Sequence, residues 1–574
     1  MMPESHAARR ARARSTGVPP NRPEKSSAEA RRIELTGVGV DREGNRYVKV
    51  QVGGSSTLIN IARYLADRVH ALRRLQRLGA PLLTPSAQRD FAARLERECA
   101  EEPTFRVATQ VGGFDGVFIF PDGPVPAGRS DIEIDLDERG ADVVRRLRRR
   151  GTLGDARRLF ALFRGNSRLM TGAALAFVGP MATVAPIEHV GVQYVGPGGD
   201  GKSTAAIAVS SIWGWDPDPN HRHGYGTRWR CTENAREDYM AAANNTLGFL
   251  DEAHSALGRT EREKHDAVLN AVKDIEGGKC KGRQTETHAA TFFTPLLSTS
   301  NVSVPAMLLV TGRGVDYSYV DRLFDIPRPS GAPDFFETLH GFRSVEEFRD
   351  ELIARAERSY GCAGREFVAA LSRAMRADRR ELSEFVRARR RRYVEVARER
   401  IRAPGRHRGR LHGKFATIFA AGCLAIRFGI LPFTARELLW AILKCERDHV
   451  AFVAREFGAL VRRERRPVDR LAAFVRDAEF LDCRRGTGLL RQGDVDRSSG
   501  VIATFDGRTE LWLTNARFER IAGGKAEARR LKEQLWGEGR LFASRRGGRV
   551  SFVVKRPFPG LDRQYVVALR LVVP

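Results

Sequence analysis

The sequence predicts an α/β fold: a three-layer αβα core, preceded by a small α+β domain and followed by a helical lid and a winged helix. Three stretches predict the core. The first is a β-rich apolar run over 190–195, the loop Gly196-Pro197-Gly198-Gly199-Asp200-Gly201-Lys202-Ser203, and a small-residue helical stretch over 204–213. The second is the apolar run Leu247-Gly248-Phe249-Leu250, which ends in Asp251-Glu252. The third is a pair of strand-like runs, 292–301 and 320–327; the first of them turns polar at its C-terminal end, where open parallel sheets bind ligands.

Taken in order, residues 1–32 are basic, carry proline and serine, and have almost no large apolar group. Such a segment cannot bury enough surface to offset its ordering entropy, so a disordered basic tail is expected. Its arginines either touch nucleic acid non-specifically or have no role. An α+β domain is expected over 33–150. Its runs 33–40 and 46–52 are joined by Asp41-Arg42-Glu43-Gly44-Asn45, hairpin turn chemistry. A helical stretch around 65–78 and short strands at 105–109 and 116–120 follow, the latter closed by Pro121-Asp122-Gly123. The arginine cluster over 145–150 reads as a solvated helix face before a binding patch.

The core is expected over 151–330. Its glycine loop matches G-x-x-x-x-G-K-[ST] between a strand and a helix, the context in which that motif cradles phosphate. Glycines let backbone N–H groups turn inward without a Cβ in the way, and the helix N-terminus adds partial positive charge at the same point. The stretch Gly196, Pro197, Gly198, Gly199, Asp200, Gly201, Lys202, Ser203 and Thr204 is therefore expected to bind ATP. Lys202 reaches the β/γ-phosphates and Ser203 ligates Mg²⁺. Asp251 completes the metal shell, and Glu252 orients and polarises the attacking water. Asn301 either senses the γ-phosphate or caps its strand. Arg322, just before a buried strand, is a candidate arginine finger for a neighbouring subunit. Between these, a charged helix over 261–275 leads into Glu276-Gly277-Gly278-Lys279-Cys280-Lys281-Gly282-Arg283. Lys279, Lys281 and Arg283 offer phosphate contacts on DNA, or form a plain charged turn.

Residues 331–466 are charged and helical, the expected lid, with an arginine run over 387–392 and an apolar helix over 415–428. A second sensor would be Arg410 or Lys414. Over 467–574 the pattern is helix (468–480), strand pair (501–505, 510–513), helix (525–536), then 540–542 and 550–554 around a basic tip. That order suggests a winged helix. Arg545, Arg546 and Arg549 would meet phosphates, unless the fold serves only to pack subunits. No aromatic stripe or base-reading set is visible, so sequence-specific binding is not supported.

At 574 residues the chain has room for three or four domains. Its net charge of +27, with arginine well above lysine, favours a polyanionic partner, nucleic acid before membrane. The seven cysteines are scattered, with no zinc spacing, as reduced thiols of a cytoplasmic protein would be. No apolar run approaches the roughly 18 residues of a membrane span.

The order of glycine loop, Leu-Asp-Glu-Ala, Pro-Leu-Leu-Ser-Thr-Ser-Asn and Asp-Arg-Leu-Phe-Asp-Ile-Pro resembles the AAA+ core of superfamily 3 viral and minichromosome-maintenance (MCM-like) helicases. Gly113-Phe114, the tetrapeptide Phe120-Pro121-Asp122-Gly123, the run from Trp229 to Asn234, Gly278-Lys279-Cys280-Lys281 and 415–425 resemble a bacterial domain-of-unknown-function (DUF) family of phage, plasmid and cassette helicases. The resemblance runs from about Phe105 to the C-terminus. It implies a ring-forming, hexameric, ATP-driven DNA helicase of a mobile element, acting on single-stranded or forked DNA beside a companion primase or small replication protein. It also implies that the basic loop at Lys279 lines a central pore. One departure bears on Asn301: the bacterial family often carries Gly-Glu where Ser300-Asn301 stands, so the sensor role follows the viral-helicase resemblance.

Overall fold

Turn chemistry and β-branched runs give the N-terminal strands of the computed structural model. Asp41 closes the first hairpin by accepting the backbone N–H of Glu43 and of Asn45, both at 2.9 Å. Ile33–Val40 and Arg46–Val52 then pair antiparallel. The structure describes residues 33–571 except 137–139, 219, 222, 281–290, 333, 403–407, 466, 485–488 and 547. The tail 1–32, Lys281 and Arg283 thus lie outside the described residues. The chain divides into two compact units: described residues of 1–257, 270–301 and 322–446, and those of 258–269, 302–321 and 447–574.

In the first unit, a mixed sheet runs in the order Ser55–Asn60, Arg46–Val52, Ile33–Val40, Phe105–Ala108, Ile132–Ile134. Val38, Val48 and Val50 form its core with Leu75, Phe91 and Leu95 from helices Arg68–Arg77 and Pro85–Glu98. A small antiparallel sheet follows, Gly112–Phe114, Val117–Phe120 and Gly123–Val125.

The central sheet has five parallel strands in the order Thr227–Arg228, Gly248–Asp251, Leu296–Ser300, Gly191–Val195, Leu323–Pro327. Every residue of 191–195, 248–251 and 296–300 is buried. Parallel strands covered on both faces are buried residue after residue, which is why a periodicity of two is missing from them. Helix Lys202–Ser210 packs on this sheet and is itself covered by helices Ser167–Ala176 and Val345–Arg358. Ser167–Ala176 is buried along its whole length. Gly172 permits that closeness: a Cβ there would lie 2.3 Å from the Tyr194 hydroxyl. Arg168, fully buried, donates to the Pro327 carbonyl at 3.0 and 2.8 Å, fixing this helix to the end of its strand. Beyond the sheet, helices Cys362–Arg400 and Arg408–Arg427 pack together, the former broken at Asp378 (φ −158°, ψ 96°).

The second unit carries a five-stranded sheet in the order Leu481–Asp482, Val501–Phe505, Arg508–Thr514, Gln564–Arg570, Val554–Arg556. Leu511, Leu513, Phe518, Leu531 and Leu535 form its core with helices Asn515–Ala522 and Lys525–Gly537. The expected strands at 540–542 and 550–554 are arranged differently. A short hairpin joins Ser544–Arg546 to Arg549–Ser551, while Val554–Arg556 pairs separately with Gln564–Arg570. The cause is long-range. Arg556 donates to the buried Glu510 at 2.6 and 2.9 Å, and Trp512 Nε1 donates to the same carboxylate at 2.7 Å. No local pattern announces a pair 46 residues apart. Among the described residues no helix is long and apolar enough to cross a membrane.

Candidate functional site

The loop after strand Gly191–Val195 turns on two glycines with left-handed backbone, Gly199 (φ 85°) and Gly201 (φ 78°). Gly201 also has no room for a side chain: a Cβ would lie 2.8 Å from Asp334 Oδ1 and 3.0 Å from Arg349 Nε. At Gly199 a Cβ would meet nothing within 4 Å. Lys202 opens the next helix, 6% exposed, and its ammonium donates to the Pro197 carbonyl of its own loop. Burial pushes its pKa down against the pull of Asp200 and Asp251.

Asp251 ends strand Gly248–Asp251 on the same side of the sheet and is 3% exposed. It accepts from Ser203 Oγ at 2.8 Å, from Thr299 Oγ1, and from His223 Nδ1 at 3.0 Å. Arg228 Nε donates to His223 Nε2 at 2.6 Å, which leaves the imidazole proton on Nδ1, facing Asp251. Burial works to raise the Asp251 pKa, but the bonds from His223, Thr299 and Ser203 outweigh it and hold the carboxyl below its usual range. Ser203 and Asp251 are thus a hard oxygen pair with an ionised carboxylate, a donor set that fits Mg²⁺.

Glu252 follows in a left-handed conformation (φ 62°), and its N–H donates to Thr299 Oγ1 at 3.0 Å. One hydroxyl therefore ties both acidic residues to the neighbouring strand. Asn301, just past strand Leu296–Ser300, is exposed; a Cβ on Gly198 would lie 3.9 Å from its Nδ2. His254 meets Asn301 at 3.3 Å. Thr204 is half-buried in the first helical turn.

Several neighbours carry no motif signal. Arg349 on helix Val345–Arg358 donates to the Gly199 carbonyl at 2.6 Å and pairs with Asp334. Arg328 lies 3.7 Å from Asp200. Lys414, a candidate second sensor, sits 1% exposed and donates to Glu276 at 2.8 Å, away from the glycine loop that Arg349 meets. Only the pair of histidines at 221 and 223 hinted at a polar cluster near this strand.

Arg322 lies at the opposite edge of the sheet. Leu323 pairs with Gly191 and Pro327 with Val195, so Arg322 stands at the N-terminal ends of the strands while the glycine loop stands at the C-terminal ends. There it pairs with Glu276, the residue Lys414 also holds. Burial opposes ionisation of Glu276, and Lys414 with Arg322 more than offsets it, leaving its pKa lowered. Glu276 sits near the end of helix Glu261–Gly277, directly before the basic loop. Lys279 is exposed and bridges Thr291, which brings the two stems of that loop together. In the second unit, Arg545 is exposed on the hairpin, its guanidinium 5.6 Å from the Trp536 ring centre. Arg546 and Arg549 are in the same hairpin.

Residues 31–289 match a family described as domain of unknown function DUF927. No curated protein matches the chain. Among solved structures, SCCmec type IV Cch, described as an active helicase, is similar at 15% identity with a TM-score of 0.52. The apo C-terminal region of NrS-1 matches at 12% identity and a TM-score of 0.27, over 60% of this chain and 66% of that one. The match to Cch covers 94% of this chain and 93% of that one, so the mixed α/β fold is shared along nearly the whole length of both.

Proposed function

We propose that this chain is an ATP-dependent DNA helicase or translocase with a P-loop AAA+ core, assembling as a hexameric ring in the replication of a phage, plasmid or other mobile element. The observation that carries the reading is the contact between Ser203 Oγ and Asp251 Oδ1, at 2.8 Å, at the C-terminal edge of a parallel sheet. It joins a glycine-loop helix to an acidic strand end across 48 residues, beside a buried lysine. Open parallel sheets bind nucleotides at this edge.

In this reading the triphosphate lies over the loop from Gly196 to Thr204, and Lys202 exchanges the Pro197 carbonyl for phosphate oxygens. Ser203 and Asp251 hold Mg²⁺, which when bound neutralises phosphate charge. Glu252, its backbone fixed by Thr299, takes the proton of the attacking water as general base, and Asn301 hydrogen-bonds the terminal phosphate. Arg349 is a further cation within reach of that phosphate. Arg322 faces away from its own loop and serves the loop of an adjacent copy, which requires its release from Glu276. Because Glu276 precedes Lys279, Lys281 and Arg283, that release reaches a DNA-binding loop at the pore. Arg545, Arg546 and Arg549, on a winged-helix-like domain, add sequence-independent phosphate contacts. A companion primase or small replication protein is the expected partner.

The test is strand displacement on a forked duplex with Mg·ATP. Unwinding by the wild type and none by Lys202→Ala or Glu252→Gln is expected, with Glu252→Gln retained on DNA when ATP is present. DNA-stimulated hydrolysis without strand separation would replace the motor with a nucleotide-dependent DNA switch.

A further inference from the structure

The first unit contains a second concave site whose walls include no glycine-loop residue. It is a cavity of about 700 Å³ between the sheet 112–125, residues 182–187 and the first half of helix Cys362–Arg400. Its floor is apolar: Phe114, Val117, Phe118, Val368 and Leu371 all line it and all are buried. Its rim is cationic. Arg42, Arg376 and Arg379 are exposed at the mouth, where the one carboxylate is Asp115 among the lining residues. That carboxylate is already shared, with Arg106 at 3.3 Å and Arg42 at 3.8 Å, and Arg129 donates to the Asp115 carbonyl at 2.8 Å. Guanidinium charge therefore exceeds carboxylate charge around the opening.

The walls are shaped by tight turns and close backbone approach. Asp115 (φ 44°) and Asn245 (φ 56°) both line the cavity with left-handed backbone. Among the described residues five non-glycine positions have left-handed backbone, Glu252 among them. Asp115 and Gly116 (φ 82°) are the two-residue turn between the paired Phe114 and Val117, the usual Asp-Gly hairpin chemistry. Asn245 Oδ1 accepts from the Gly113 N–H at 3.1 Å, and a Cβ on Gly113 would lie 2.5 Å from Thr183, so this wall is built by close backbone approach. On the opposite wall the helix breaks at Asp378, whose carboxylate caps the following turn through Glu381 N at 2.9 Å. Just past that break Arg379 donates to the Thr183 carbonyl at 3.0 Å, tying the rim together.

A volume in the ordinary range of ligand pockets, an apolar floor and a guanidinium rim suit a flat, apolar ring system carrying an anion. A cation would be repelled, and a neutral apolar molecule would leave the rim without a role. We propose that this cavity binds one nucleotide unit, base within its apolar interior and phosphate on Arg376 and Arg379, taken either as a free mononucleotide or as one residue of a single strand.

The experiment uses the full chain carrying Lys202→Ala, so that the glycine loop does not compete for the probe. Binding of 1,N6-ethenoadenosine monophosphate and of a short fluorescent oligothymidylate is measured by fluorescence. Two variants are compared in that background: Arg376→Glu with Arg379→Glu, both on exposed side chains, and Ala182→Trp, which fills the half-buried wall without changing charge. Saturable binding is expected for at least one probe, weakened about tenfold or more by each variant, as the loss of charge-assisted hydrogen bonds implies. An effect on the mononucleotide identifies a free effector, and an effect confined to the oligonucleotide identifies the path of a strand. If neither probe binds, or if the variants bind as the parent does, the site is refuted. Weakening by the glutamates but not by Ala182→Trp would refute it too, because that pattern is surface charge alone. If Lys202→Ala leaves ATP binding intact, the glycine-loop reading fails while this comparison still decides the cavity.

Discussion

The two edges of the central sheet handle charge in opposite ways. At the C-terminal edge Asp251 is satisfied by two hydroxyls and an imidazole. At the N-terminal edge Glu276 is satisfied by two cations, Arg322 and Lys414. Neutral donors stabilise a carboxylate without cancelling its charge, so the first edge keeps a net anion available for a metal. Two cations more than neutralise it, so the second edge offers no free anion to a metal. The buried Asp251 and the half-buried Glu276 thus leave one edge that receives a cation and one whose carboxylate is withheld.

Neutralising the receiving edge should have the largest effect. Asp251→Asn keeps an oxygen acceptor for Ser203 and Thr299 but removes the charge, so ATP hydrolysis is expected to fall at least about 100-fold with folding little changed. Phosphate release beside a thermal melt measures both, and a rate close to the parent's would move the metal site elsewhere. At the withholding edge the larger effect should be on stability. Glu276→Gln leaves the buried Lys414 ammonium without its counter-charge, a loss of about 3 kcal/mol. Denaturant titration should show it, and Lys414→Met in the same background should recover most of it. A Glu276→Gln chain as stable as the parent would mean that the carboxylate does not hold this edge.

The same edge carries a pH dependence. His189 lies against Phe293, ring centres 4.3 Å apart, and burial together with the nearby Lys414 charge pushes its imidazole from 6.5 to about 4. The unfolded chain takes up that proton near pH 6.5 and the folded chain only near 4. The stability from a neutral His189 is therefore complete above pH 6.5 and lost as pH falls from there to about 4, roughly 3 kcal/mol across the window. Glu276, held below its usual 4.5, contributes stability that is fully present above that value, so its own loss begins only at the acidic end of the window. His189→Leu should flatten the slope of stability against pH between these limits. An unchanged slope would mean that the imidazole titrates normally.

The receiving edge is more legible in the sequence than the withholding one. Lys202, Ser203, Asp251 and Asn301 announce themselves because a glycine turn and strand ends are local patterns in consecutive residues. Thr299 completes the same carboxylate without a signal, since a hydroxyl inside a strand looks the same whatever it faces, and His223 has only its neighbour His221 to hint at a polar cluster. Arg349 is one arginine among many on a charged helix, and only tertiary packing brings it to Gly199, 150 residues away. The Arg322–Glu276–Lys414 cluster joins three distant segments, so no window of sequence contains it. The helix Ser167–Ala176 escaped for another reason: buried on every side, it has no polar face to give it a helical period.

The smallest effect should come from charge that neither edge holds. Arg545 stands on a solvent-exposed hairpin, its guanidinium facing the partly exposed Trp536, a contact worth about 0.5 kcal/mol at such a site. Arg545→Ala should therefore leave the melting temperature almost unchanged. If the hairpin meets phosphates, DNA affinity falls only a few-fold, equally for all sequences, and the slope of log K against log salt drops by about one. Anisotropy titrations over a salt series separate the cases. A lower slope with intact hydrolysis places this arginine on the DNA backbone, apart from both edges. An unchanged slope assigns the hairpin to protein contacts and leaves the loop stem at Lys279 as the candidate DNA contact.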